Sequence, residues 1–200
     1  MNDRDLVFHA TAIKRHAPPS AIAALAGVPE ATARAELDAA VAAGRAFEAK
    51  GAYALTPLAG VALQARYTKH FAELRKDTVF VGGYQDFERI NITLKQIITD
   101  WQTLDIGGAR IANDHRDKAH DASVIDRLGG LHEQAEPVLK RLSGRLPRLR
   151  YYADKLLAAL EASEDGDHEW VSDIRRDSYH TVWFELHEEL LRIMGREREE

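Results

Sequence analysis

Apolar residues recur at helical spacing almost from the first residue. Within 5–16, Leu6, Phe8, His9 and Ile13 fall near one face. Pro18-Pro19-Ser20 ends that segment and opens another, because proline is accepted at the first turn of a helix but not inside it. A short helix over 21–26 runs into Gly27, which can take the positive φ of a tight turn. Val28 turns inward and Pro29 suits the start of a helix over 30–43, whose Ala33, Leu37 and Val41 are spaced by four on the buried face. Gly44 stops it. Residues 45–55 then read as strand, turn at Lys50-Gly51 and strand, with Phe47, Tyr53 and Leu55 as the apolar teeth. Thr56-Pro57 opens a further helix over 57–75.

Beyond that the pattern changes. Residues 77–83, with Gly82-Gly83, look like a junction, and from 84 onward no strand alternation is legible. Phe87, Leu94, Ile98 and Trp101 mark a helix over 84–101, and 102–116 reads as a loop. A long helix over 118–143 carries Val124, Leu128, Leu131, Val138 and Leu142, with Gly129-Gly130 and Pro137 as weak points. Another runs over 147–162 and a final one over 168–194. The expected fold is mainly α, in two parts. Residues 1–75 form a helix-turn-helix with a small β-hairpin wing and a linker helix. Residues 84–200 form an antiparallel helical bundle for ligand sensing and dimerisation.

The first part resembles the winged-helix domains of bacterial transcription regulators of the MarR and GntR type. The matching residues are Ile22, Ala23, Leu25, Gly27, Val28, Ala33, Arg34, Leu37, Val41, Gly44, Gly51 and Leu55. That resemblance implies double-stranded DNA as a partner, read by a homodimer on a two-fold operator. The helix over 30–43 would enter the major groove, with Thr32 and Arg34 at base edges. Arg45 and Lys50 in the wing would hold phosphates. The alternative is a winged helix that no longer binds DNA and serves as a regulatory or accessory module contacting a partner enzyme.

Polar residues in the helical part supply a second candidate site. Asp173, Asp177, His180, Phe184, His187 and Leu191 repeat at spacings of four and three, which places them on one face of a continuous helix. With Trp101, His115 and Trp183 they are the expected lining of a pocket for a small-molecule effector: Trp101, His115, Asp177, His180, Trp183, Phe184 and His187. Asp177, His180 and His187 are also the candidate ligands of a transition metal, imidazole with carboxylate suiting zinc, nickel, manganese or iron. No cofactor is required by the pattern. Some GntR-type effector domains bind a metal through Asp and His, but their usual spacing is not present here. The segments 99–102, 113–115 and 177–189 resemble a domain of actinobacterial proteins labelled MarR-like, and a segment appended to some phosphoenolpyruvate-utilising enzymes.

Composition narrows the chemistry further. With no cysteine among 200 residues, disulfides, thiolate metal sites and Cys nucleophiles are excluded, so any metal must be held by nitrogen and oxygen. The net charge of −5 averages unlike halves. Residues 1–70 carry eight Lys/Arg against six acids, and the remainder 19 against 26. No apolar run approaches 18 residues, and the N-terminus carries no basic-then-apolar signal. A cytoplasmic protein that does not enter membranes is therefore expected. Ser178 lies on a different helical face from Asp177 and His180, and no glycine pair has phosphate-loop spacing. No catalytic residue is assigned, and the chain is not expected to be an enzyme.

Overall fold

The computed structural model describes residues 1–197. They divide into two compact units, residues 1–77 with the chain from 187 onward, and residues 78–186. Both are mainly helical, each with one two-stranded antiparallel hairpin. No helix among the described residues is long and apolar enough to cross a membrane. The sequence placed all of 84–200 in one part, whereas the last turns of the final helix pack with the first.

In the first unit, α1 (Asp3–Lys14) starts where the Asn2 side chain accepts the Asp5 N–H at 2.9 Å. Next, α2 (Pro19–Ala26) ends on Gly27 at φ 70, the left-handed conformation that lets the chain turn directly into α3 (Glu30–Ala42). The buried face of α3 is Ala33, Leu37 and Ala40, while Val41 is 38% exposed. Two turns of 3.6 residues take about seven residues rather than eight, so the stripe ends on Ala40 and not Val41.

Strands β1 (Ala46–Ala49) and β2 (Ala52–Leu55) pair through a two-residue turn, with Lys50 at φ 54 and Gly51 at φ 80. That turn fixes Ala46 opposite Leu55 and Glu48 opposite Tyr53, so Tyr53 and Leu55 share a face with Ala46. Phe47 pairs with Ala54 on the other face and is 50% exposed, so the three apolar teeth do not share one side of the hairpin. Helix α4 (Pro57–His70), capped by Thr56, carries Ala59, Leu63 and Tyr67 inward, and a 3₁₀ turn follows at Leu74–Lys76.

The second unit opens earlier than expected. Helix α5 spans Thr78–Gln102, and Gly82-Gly83 lie inside it rather than in a junction. A Cβ on Gly83 would sit 3.0 Å from Leu142 Cδ2, so the missing side chain lets α5 approach α6 (Lys118–Arg145) closely. The expected loop over 102–116 contains a second hairpin, β3 (Thr103–Ile106) and β4 (Ala109–Ala112), turning at Gly107 and Gly108, both of positive φ. Asp105 Oδ1 accepts the Gly108 N–H at 2.9 Å and closes that turn. A 3₁₀ turn at Pro147–Leu149 leads into α7 (Arg150–Glu164).

The expected helix over 168–194 is broken. Helix α8 is a single turn, Glu169–Ser172, and α9 runs Tyr179–Met194. Between them Asp173 accepts both the backbone and guanidinium N–H groups of Arg175. These bonds hold the Asp173 carboxyl down at about 2. Ser178 Oγ then accepts the Thr181 N–H at 3.3 Å, the arrangement of a helix N-cap. Two residues that hydrogen-bond their own backbone nearby thus outcompete continuation of the helix.

Candidate functional site

The first candidate surface is the exposed side of α3 with the tip of the β1–β2 hairpin. Thr32 is half-buried near the start of α3, and Arg34, two residues on, is exposed. Arg34 Nη2 reaches Glu30 Oε1 at 3.2 Å, an i, i+4 pair across the open face. Asp38, on the same helix, accepts the Tyr53 hydroxyl at 2.6 Å, which ties the hairpin to α3 and raises the Tyr53 pKa. Arg45 and Lys50 are both exposed, Lys50 at the turn itself. Glu48 Oε1 accepts the Gly51 N–H at 2.6 Å, so one acid sits beside that lysine. The surface is therefore mixed in charge: Arg34, Arg45 and Lys50 against Glu30, Asp38 and Glu48.

The second unit brings together two of the expected effector residues. The Trp101 and His115 rings lie 4.6 Å apart, and His168 meets the same tryptophan edge-on at 5.7 Å. Asn113 organises this corner, donating from Nδ2 to Trp101 O at 2.9 Å and to Asp121 Oδ1 at 3.0 Å. His115, held at φ 58, places Nδ1 3.1 Å from the same carboxylate oxygen. Asp121 is fully buried. Burial alone would push its carboxyl up, but the Asn113 and His115 hydrogen bonds and the Lys118 charge outweigh that and hold it below the ordinary carboxylate value. The cluster latches the base of the β3–β4 hairpin to the start of α6, where Asp117 caps the helix through the N–H groups of Ala119 and His120.

The other expected effector residues do not join it. Trp183 is in the core of the second unit, stacked on Phe87 at 4.6 Å, with its Nε1–H donated to Asn91 Oδ1 at 3.0 Å. Asp177 lies in the segment before α9 and pairs with Lys155 Nζ at 2.8 Å, so the break at 173–178 removes it from the helical stripe of His180 and Phe184. His187 is buried and belongs to the first unit, whereas His180 belongs to the second. Among the described residues no three His, Asp or Glu side chains are grouped as metal ligands.

A cavity of about 600 Å³ opens between α6 and α7, lined among others by His132, Glu136, Lys140, Arg150, Asp154 and Leu157. None of the expected effector residues lines it. Its signal in the sequence was His132, a polar residue inside the apolar run of Leu128, Leu131, Ala135 and Val138. The ring is buried, with Nδ1 3.1 Å from the Tyr179 hydroxyl. Burial lowers its pKa, outweighing the charges of Glu136 and Glu164. The unfolded chain therefore takes up the His132 proton at a higher pH than the fold does. Stability from this group is complete above the ordinary histidine value of about 6.5 and falls as the pH drops from there toward the folded-state pKa. Urea unfolding at pH 7.5, 6.5 and 5.5 is expected to show that decline, and His132→Gln to flatten it; an equal slope in both proteins would refute the assignment.

No protein-family model, curated protein or solved structure matches the chain.

Proposed function

We propose that the chain is a DNA-binding transcriptional regulator. Its first unit would act as a winged-helix module, and its helical second unit would sense a small molecule. The observation that carries this reading is the order α2, left-handed turn at Gly27, α3, β1–β2 hairpin, with the exposed side of α3 and the Lys50-Gly51 tip left open to solvent. In this reading Thr32 and Arg34 meet base edges, and Arg45 and Lys50 meet phosphates. A homodimer doubles the contact and matches a two-fold operator. The α6–α7 cavity, with His132, Lys140 and Arg150, is the better candidate for the effector than the scattered residues of the α9 stripe.

Binding to duplex DNA from the region upstream of its own gene tests this by fluorescence anisotropy across a salt series. Lys50→Ala and Arg45→Ala are each expected to weaken binding to every duplex and to reduce the salt slope by about one. Arg34→Ala is expected to relax sequence preference as well. An affinity that ignores salt, or that is unchanged in the Arg45→Ala/Lys50→Ala double variant, rejects the reading.

One observation favours a second reading. The single arginine on the open face of α3 is already engaged by Glu30, and Asp38 follows on the same helix. A surface balanced in that way suits contact with another protein, as in an accessory module of a partner enzyme. Under that reading the Arg34→Ala and Lys50→Ala variants keep their biological activity, and no duplex is bound.

A further inference from the structure

We propose that the first unit carries a binding site for a small organic anion with an apolar body, such as a medium-chain carboxylate. The site is a cavity of about 310 Å³ beside the start of α4, a volume at the small end of ligand pockets. Phe8, Leu63 and Ala59 give it a buried apolar floor, and Leu58, 79% exposed, stands at its lip.

The charge around that apolar floor has one sign. Arg4, Arg45 and Arg66 all line the cavity, and no carboxylate does. Arg66 is engaged by Asp5 at 2.5 Å, which leaves it positioned but largely neutralised. Among the described residues no ion pair involves Arg4 or Arg45, and Arg4 lies over the Phe8 ring at 5.3 Å. The first turn of α4, started by Thr56 and Pro57, also borders the cavity and adds the positive end of a helix. Two available guanidiniums above an apolar floor match a carboxylate head on a hydrocarbon or aryl body. An amine of the same shape would meet only repulsion. The inference shares Arg45 with the nucleic-acid reading but is tested without DNA, so the failure of one can be told from the failure of the other.

Titration calorimetry of the full chain with octanoate tests it, with octylamine and octanol as matched probes. Octanoate is expected to bind at one site per chain, octanol at least tenfold more weakly, and octylamine not at all. Arg4→Gln with Arg45→Gln, both on exposed or half-exposed side chains, is expected to weaken octanoate at least tenfold without changing the unfolding midpoint. Ala62→Trp, which fills the cavity from α4, is expected to abolish binding; amide shift mapping on the unsubstituted chain places the ligand at Leu58, Ala59 and Ala62. Absence of saturable octanoate binding, equal binding of octylamine, unchanged affinity in the double arginine variant, or shifts confined to the α6–α7 cavity would each overturn the proposal.

Discussion

Replacing Glu189 by alanine is expected to remove about 3–5 kcal/mol of folding stability. The carboxylate is completely buried, and its Oε1 lies 3.3 Å from Nε2 of His9, which is itself buried. The other ring nitrogen of His9 is 2.7 Å from the Tyr67 hydroxyl. Three polar groups from α1, α4 and α9 thus meet at one buried position, where His9 is hydrogen-bonded to Tyr67 and within ion-pair distance of Glu189. Removing the carboxylate strands the imidazole in a medium that cannot solvate it, and that desolvation supplies most of the loss. Tyr67→Phe deletes one hydroxyl and is expected to cost only about 1 kcal/mol. The combined replacement His9→Leu/Glu189→Met, which substitutes apolar groups for both partners, is expected to recover most of the stability lost by Glu189→Ala. Urea unfolding followed by circular dichroism measures all three. A loss below about 1 kcal/mol in Glu189→Ala would mean that the pair is dispensable.

A comparable loss, about 3–5 kcal/mol, is expected for Trp183→Ala in the second unit. The indole is 2% exposed, parallel to Phe87 and to Tyr179, and it gives the buried Asn91 its hydrogen bond. Truncation opens a cavity and also leaves the Asn91 side-chain oxygen without its donor, so two penalties add. Trp183→Phe separates them: it keeps an aromatic face against Phe87 and loses the N–H. Its expected cost is about 1–3 kcal/mol. If both variants lose the same amount, the hydrogen bond and not the packing dominates; if Trp183→Phe is neutral, Asn91 finds another partner.

These two residues also mark how far the sequence could be read. The proline and glycine punctuation at 18–19, 27, 44 and 51 located α2, α3 and the first hairpin to within a residue or two, because those residues act through the local backbone alone. The second hairpin has a comparable signal in Gly107-Gly108 between Leu104 and Ile111, but its second strand, Ala109–Ala112, shows no alternation of the kind that marks the first hairpin. Gly82-Gly83 resembles a linker in sequence and a close helix contact in the fold, and only the presence of Leu142 across the gap distinguishes the two. For the site the decisive loss was at 173–178. Periodicity counts residues as though the helix were unbroken, and it has no term for Asp173 and Ser178 bonding to nearby backbone. Trp183 and His187, read from the sequence as pocket lining, are both buried, and the Trp183 N–H is taken by Asn91 within the core.

The final helix completes the first unit from the far end of the chain. Leu190 and Ile193 are fully buried, and Arg75 Nε donates to Ile193 O at 2.5 Å. A ribosome therefore releases residues 1–77 more than a hundred residues before their missing segment is made. During that interval His9 has no Glu189, and the apolar positions that α9 covers face water or a chaperone. The second unit has all of its residues first, although its chain starts later. Synthesis would thus reverse the order expected from N- to C-terminus, with the helical unit closing before the one that precedes it.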